Sequence, residues 1–347
     1  MKLFDMNLAK RDIQEYVGDI SQIADAREGI LTAGRADGVR TIDVSTGSGL
    51  EFTVLPTRGM DIAWAKYKGK ALSFISKAGV SHPAYFEKDG LGFLRNFTCG
   101  LLTTCGLTYM GAPCADEGQQ LGLHGRISNI PAFDLGVRKE WINDDYVMQI
   151  SGKVRESSMF GENICLTRTI TTKLGSSIIN IHDAVENCGF EKQPLMLLYH
   201  LNMGYPLVSE DSRLIHSRAK VSGRDEAAVS GLKEYNTFQK PTSGYGEQVF
   251  YLDFYNQGKV FCALFNEKQK LGVCVRFDTA QFSHFGEWKM MGKSDYVVGL
   301  EPCTWKPEGR AKARELGELK YIEPGEIREF EFEISVIESE SELYNIK

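Results

Sequence analysis

Three ionisable side chains, His124, His200 and Glu301, each sit beside an apolar run broken by glycine or proline. They lie in residues 121–126 (LGLHGR), 197–206 (LLYHLNMGYP) and 299–310 (GLEPCTWKPEGR). Val297-Val298-Gly299-Leu300 reads as the end of a buried strand, and the two prolines that follow lead the chain away as a rigid loop, so Glu301 is expected at a strand end. Two imidazoles and a carboxylate can transfer protons near neutral pH. They can also hold a divalent metal ion, but no HxH or HxxxH pair occurs and neither histidine has a second carboxylate beside it, so no metal is expected. Taken singly, each residue could equally be a hydrogen-bonded core or surface group; the shared setting is the signal.

The elements that must bring them together read mostly as strands. Ile13, Val17, Ile20 and Ile23 recur at helical spacing between Arg11 and Arg27, a pattern weakened by Gly18, and predict a short helical extension over residues 1–28. After Gly29 the chain becomes short strands separated by turn residues. Tyr67-Lys68-Gly69-Lys70 reads as a hairpin turn between the runs 60–66 and 71–75. Residues 90–131 are rich in glycine and poor in charge, which suggests backbone packed closely against itself or a ligand. Strand patterns resume at 146–150, 164–171, 178–182, 195–200, 248–254, 260–265, 272–277 and 329–337, while 211–246 reads as a long polar connection. Many short strands with few helices predict an all-β fold, a large antiparallel two-sheet β-sandwich forming a single domain over 1–347.

Composition narrows the function. The chain has 347 residues, 42% hydrophobic and 25% charged, enough for a sizeable core. A net charge of -6 and the lack of a long basic tract argue against nucleic acid or a membrane surface as partner. No signal-peptide pattern opens the chain and no apolar run is long enough to span a bilayer, so a cytoplasmic location is expected. The eight cysteines form no CxxC pair and sit in apolar settings, as reduced core thiols would. Residues 99–106 lack the Lys-Ser/Thr ending of a phosphate loop, and nothing near Cys105 would activate it as a nucleophile. Oligomeric state is not legible.

Five segments together resemble one family: 56–62 (PTRGMDI), 99–107 (CGLLTTCGL), 122–127 (GLHGRI), 196–206 (MLLYHLNMGYP) and 300–310 (LEPCTWKPEGR). The chain is similar to the galactose mutarotase-like superfamily of aldose 1-epimerases, and most closely to a branch known by a domain-of-unknown-function label. The resemblance implies a two-sheet supersandwich and a cofactor-free sugar isomerase acting on a small carbohydrate. Glu301 would be general base, His200 general acid on the opposite side of the sugar, and His124 a donor orienting the substrate. Opening a cyclic hemiacetal requires removal of the anomeric hydroxyl proton and delivery of a proton to the ring oxygen.

Around these three, the candidate substrate-binding residues are Arg58, Asp61, Arg95, Arg126, Asn202, Trp305, Lys306 and Arg310. The family's Asn-Arg step is replaced by Phe93-Leu-Arg95-Asn96-Phe, so Arg95 either holds sugar hydroxyls or pairs with an acid. The Pro-Asp that commonly follows the catalytic Glu is also absent. Trp305 either stacks on a pyranose face or caps the core. The cations suit an acidic or phosphorylated sugar, whereas Arg58 and Asp61 could instead brace a turn. Two further readings share the same residues: a non-catalytic carbohydrate-binding protein, and an isomerase or epimerase that draws its proton from carbon.

Overall fold

The structure, a computed structural model, describes residues 2–4 and 6–344. Two large sheets face each other. One has eight strands in the order Phe133–Ile142, Asp145–Ser157, Asn163–Lys173, Ile178–Asn187, Ile327–Ile337, Leu271–Asp278, Lys259–Asn266 and Ser212–His216. The other has six, labelled here in chain order: β1 (Thr103–Cys105), β2 (Leu198–Met203), β3 (Ala219–Gly223), β4 (Gln248–Phe254), β5 (His284–Met291) and β6 (Tyr296–Cys303). Their order across the sheet is β3-β4-β5-β6-β2-β1, with antiparallel neighbours throughout. A five-stranded sheet, from Asp25–Ile30 to Lys70–Ala71, and three two-stranded sheets make up the rest of the strands among the described residues. The β-sandwich reading therefore holds.

Period-two patterning decides which face each residue takes. Tyr199, Leu201, Phe250, Leu252, Phe285, Val298 and Leu300 turn into the main core, where they meet Ile150, Leu166, Ile181, Val275 and Phe332 from the eight-stranded sheet. Their alternates, including His200, Gly286, Trp288 and Glu301, occupy the opposite face of the six-stranded sheet. The hairpin at Lys68-Gly69 is as read: both residues are left-handed, with φ of 48° and 78°, as a two-residue turn of this kind demands.

Three expectations are corrected. The N-terminal helix is only Lys10–Gln14; a 3-10 turn at Ile20–Gln22, opened by the Asp19 side chain accepting from the Ser21 N–H, precedes a strand that begins at Asp25. Residues 211–246 are not one irregular connection, because Ser212–His216 and β3 form strands there and Glu226–Ser230 is a helix. Glu301 lies inside β6, which continues through Pro302 to Cys303. Proline's missing N–H does not end that strand.

The sandwich interior contains a buried ionic knot. Arg168, fully buried, donates to both oxygens of Asp183 (2.9 and 2.6 Å) and to Asp61 Oδ1 (3.2 Å). Tyr199 Oη donates to Asp183 at 2.5 Å, and Asp61 accepts from the N–H and hydroxyl of Thr104 (3.0 and 2.7 Å). One knot thus ties two strands of the large sheet to β1 and to β2 at the residue preceding His200. Glu287 is different: it is fully buried on the core face of β5, and neither carboxylate oxygen has a hydrogen-bond partner among the described residues. Burial pushes its pKa up to about 8, opposed by Lys289.

Two outcomes follow from these buried charges. Asp183→Asn leaves Arg168 without its main counter-charge and should lower the unfolding free energy by about 3–5 kcal/mol, read from denaturant midpoints. Glu287 has a folded pKa above its unfolded value, so it costs stability increasingly as pH rises from about 4.5 toward about 8. Glu287→Gln should therefore be more stable than the parent at pH 9, with the gap closing by pH 5; a variant equally destabilised at both would contradict this.

Candidate active site

Strand register builds the site. Ser222 faces Tyr251, Tyr251 faces Gly286 and Gly286 faces Glu301. Leu201 pairs with Leu300, which brings His200 beside Glu301, and His200 faces Thr103. Ser222, Tyr251, Gly286, Glu301, His200 and Thr103 therefore form one row across all six strands. Two residues along, and on the same face, runs a second row of Val249, Trp288, Gly299 and Asn202. His200 Nε2 lies 3.1 Å from Glu301 Oε1, and both residues are 3% exposed.

Two glycines make room for the carboxylate. A Cβ on Gly286 would lie 3.0 Å from Glu301 Oε2; one on Gly299 would lie 3.0 Å from Glu301 Oε1 and from His200 Cε1, and 3.2 Å from Trp288 Cβ. The carboxylate is thus flanked on two strands by positions with no side chain. His124 comes from outside the sheet, on a left-handed residue (φ 60°) whose N–H donates to the Gly111 carbonyl at 2.9 Å and whose carbonyl accepts from the Gly106 N–H at 3.1 Å. The close packing expected of this glycine-rich stretch is present: a Cβ at Gly125 would sit 2.2 Å from the Gly106 carbonyl oxygen. The His124 and His200 rings meet edge-on with centroids 5.7 Å apart, and Phe97 and Trp288 contact His200 at 5.2 and 5.3 Å.

Burial governs the electrostatics. It pushes the Glu301 pKa up to about 8, helped by the negative charge of Glu247 and opposed by Arg224. Burial lowers His124 to about 4 and takes His200 well below the usual imidazole range, with His124 contributing to the latter. Both shifts favour the neutral forms, a protonated Glu301 carboxyl with His200 Nε2 as an acceptor 3.1 Å away. The imidazole proton then belongs on Nδ1. His200 Nδ1, His124 Nδ1 and the Asn202 side-chain oxygen are all buried with no protein partner among the described residues. Such orphaned groups mark a place for a ligand or water.

His124, His200, Glu301 and Asn202 are therefore brought together, while most of the other sequence candidates are not. Arg58 is buried and donates to the Ser81 and Asn96 carbonyls (2.8 and 3.0 Å), and Asp61 belongs to the Arg168 knot, so both brace the fold. Arg95 is exposed beside Glu87 at 3.4 Å. Trp305 caps a core cluster with Cys105, Met196, Leu198 and Cys303, its indole N–H donated to Glu318 at 2.6 Å, so its face is not available for stacking. Arg310 is buried against Asp116 at 2.6 Å. Arg126 reaches Tyr109 Oη at 3.4 Å, and Lys306 lies 5.0 Å over the Tyr251 ring. All eight cysteines are free.

Sequence reasoning missed Trp288, Tyr251, Glu247 and the two glycines. The alternation His284-x-Gly286-x-Trp288 held the signal, but β5 lacks the apolar run that marks a strand. A groove of about 1110 Å³, lined by residues such as His182, Arg276 and Glu333, lies on the eight-stranded sheet, away from these residues. Among the described residues no group of His, Cys, Asp and Glu is arranged to hold a metal ion, and no helix is long and apolar enough to cross a membrane.

Comparison with known proteins agrees with this architecture. A protein from Klebsiella pneumoniae, provisionally named an aldose 1-epimerase, superposes with a TM-score of 0.88 at 25% identity over 97% of this chain and 88% of that one. A galactose mutarotase-like protein from Clostridium acetobutylicum gives 0.65 at 15% identity (91% and 99% covered). A galactose 1-epimerase from Lactobacillus acidophilus gives 0.55 at 12% (90% and 98% covered). The last two likenesses speak to fold alone. No protein of curated function matches the sequence. A family profile described as "Domain of unknown function (DUF4432)" matches residues 36–336. The chain belongs to that family, and its fold is that of the galactose mutarotase-like proteins.

Proposed function

We propose that the protein is a sugar mutarotase or closely related isomerase, in which Glu301 and His200 exchange protons with the two oxygens on the anomeric carbon. The observation that carries this reading is the 3.1 Å contact between His200 Nε2 and Glu301 Oε1 in a site with orphaned polar atoms. The names borne by the structural relatives, aldose 1-epimerase and galactose 1-epimerase, favour a carbohydrate substrate.

The arrangement changes the expected choreography. In this reading acid and base act as neighbours 3.1 Å apart rather than from opposite sides of a ring, which suits two oxygens bonded to one carbon. Neutral His200 takes the proton from the anomeric hydroxyl as Glu301 gives its proton to the ring oxygen. The bond from C1 to the ring oxygen breaks, C1 becomes an aldehyde carbon, and the net proton count of the pair is unchanged. After rotation about the bond to C1 the ring closes by the reverse transfers, now with Glu301 as base and His200 as acid. His124 and Asn202 supply polar contacts to hydroxyls on the sugar. A binding module would have no use for a buried pair able to pass one proton between its members.

Glu301→Gln and His200→Asn should each slow anomer exchange by about 100-fold or more, with sugar binding retained, in an NMR assay over aldoses, uronates and sugar phosphates. Unaltered exchange in either variant would refute the assignment. The working pair carries one proton, so the rate should fall as pH rises through about 8, where Glu301 loses it, and fall in acid once His200 gains a second. Exchange run in D2O should leave C–H positions unlabelled; deuterium at carbon would move the chemistry to epimerisation beside a carbonyl.

A further inference from the structure

One surface feature borders the acid–base pair without taking part in it. Trp288, partly exposed, stands on the same face of β5 as Gly286 and touches His200 edge-on. Its indole N–H is donated to Glu247 Oε2 at 2.9 Å, and Glu247 in turn accepts from Arg224 at 3.0 Å. Arg224 also reaches Asp225 Oδ2 at 2.9 Å, and the Asp225 side chain caps the helix Glu226–Ser230 by accepting from Ala228 N–H at 3.0 Å. The indole is therefore held by a chain of charge-assisted bonds rooted in a fixed helix end, a costly arrangement for a surface tryptophan that served only to cover the core.

The neighbours explain what such an indole would meet. Gly286 and Gly299 add no side chain of their own beside Trp288, so that the indole borders the Glu301 carboxylate and the His200 ring directly. The charged group nearest in influence to Glu301 is Glu247, a carboxylate, with Arg224 acting against it. The cations once available for an acidic or phosphorylated sugar have other partners: Arg58 and Arg310 in buried contacts, Arg95 with Glu87, and Arg126 at the Tyr109 hydroxyl. Lys306 lies over the ring of Tyr251, a residue two strands away from Glu301 in the sheet. The ground next to the indole thus offers an aromatic plane bordered by negative charge, which suits the C–H face of an uncharged pyranose and opposes an anion.

Resting on the mutarotase reading, we propose that Trp288, positioned by Glu247 and Arg224, is the stacking wall that selects an uncharged sugar ring. Trp288 is a specificity residue and Glu247 a positioning residue that acts through it.

The test is equilibrium titration of the intact protein with glucose, galactose, mannose, xylose, arabinose, glucuronate and galacturonate, read by intrinsic tryptophan fluorescence. Anomer exchange is measured separately by NMR. At least one neutral aldose should alter the fluorescence and bind more tightly than either uronate. Trp288→Phe should abolish most of that signal, and Trp288→Ala and Glu247→Ala should weaken neutral-sugar binding, by ligand-observed NMR, about 3–10-fold. The loss should appear in KM with kcat held within a few-fold, and Glu247→Gln should narrow the gap between galactose and galacturonate. Binding unchanged in Trp288→Ala, a uronate preferred over every aldose, or no response to any aldose overturns the proposal. Exchange that persists in the face of such a result leaves the mutarotase reading standing, whereas a Trp288-dependent signal without exchange removes that reading and keeps the wall.

Discussion

Everything proposed for this fold depends on one buried contact, His200 against Glu301, in which two ionisable groups share a single proton. In water a carboxylate and an imidazole separated by 3.1 Å would both be charged near pH 6 and attract each other weakly. Removed from solvent, each resists its charged form: the acid is pushed up, the base down, and the neutral pair becomes the resting state. The same desolvation that makes the pair costly to bury reverses the order found in water, placing the resting proton on the carboxyl and leaving the imidazole free to accept one.

Holding such a pair requires rigidity on the other face of the sheet. Tyr199, the residue before His200, points the opposite way and bonds to Asp183 in the Arg168 knot. Thr104, beside Thr103 on β1, is fixed by Asp61 in the same knot. The register that aligns six strands into one row holding His200 and Glu301 is therefore anchored through a network on the opposite face of the sheet. Gly286 and Gly299 do the converse: they contribute nothing but absence, and a single methyl at either would press on a Glu301 oxygen.

The sequence made the sheets and the central residues legible for different reasons. Strand alternation is local, so the runs at 248–254 and 272–277 could be read directly and match strands. His124, His200 and Glu301 stood out because ionisable residues beside glycine and proline in apolar surroundings are uncommon. What could not be read was pairing between segments 13 to 194 residues apart. Arg58, Arg310 and Trp305 looked like ligand-binding groups, but Ser81, Asn96, Asp116 and Glu318 claim them, and no local pattern announces those partners. Trp288 was overlooked for the complementary reason, since its value comes only from lying next to Gly299 and His200 in register. The N-terminal helix is shorter than expected because helical spacing of four isoleucine and valine positions did not outweigh Gly18 and the local cap at Asp19.

The most direct test of the shared-proton pair follows the Glu301 carboxyl carbon by 13C NMR in glutamate-labelled protein from pH 4 to 10, with Glu301→Gln identifying the signal. The carboxyl should titrate near pH 8, while the His200 ring stays neutral to well below pH 6.5. A Glu301 signal that titrates near 4.5, the ordinary glutamate value, would contradict the account.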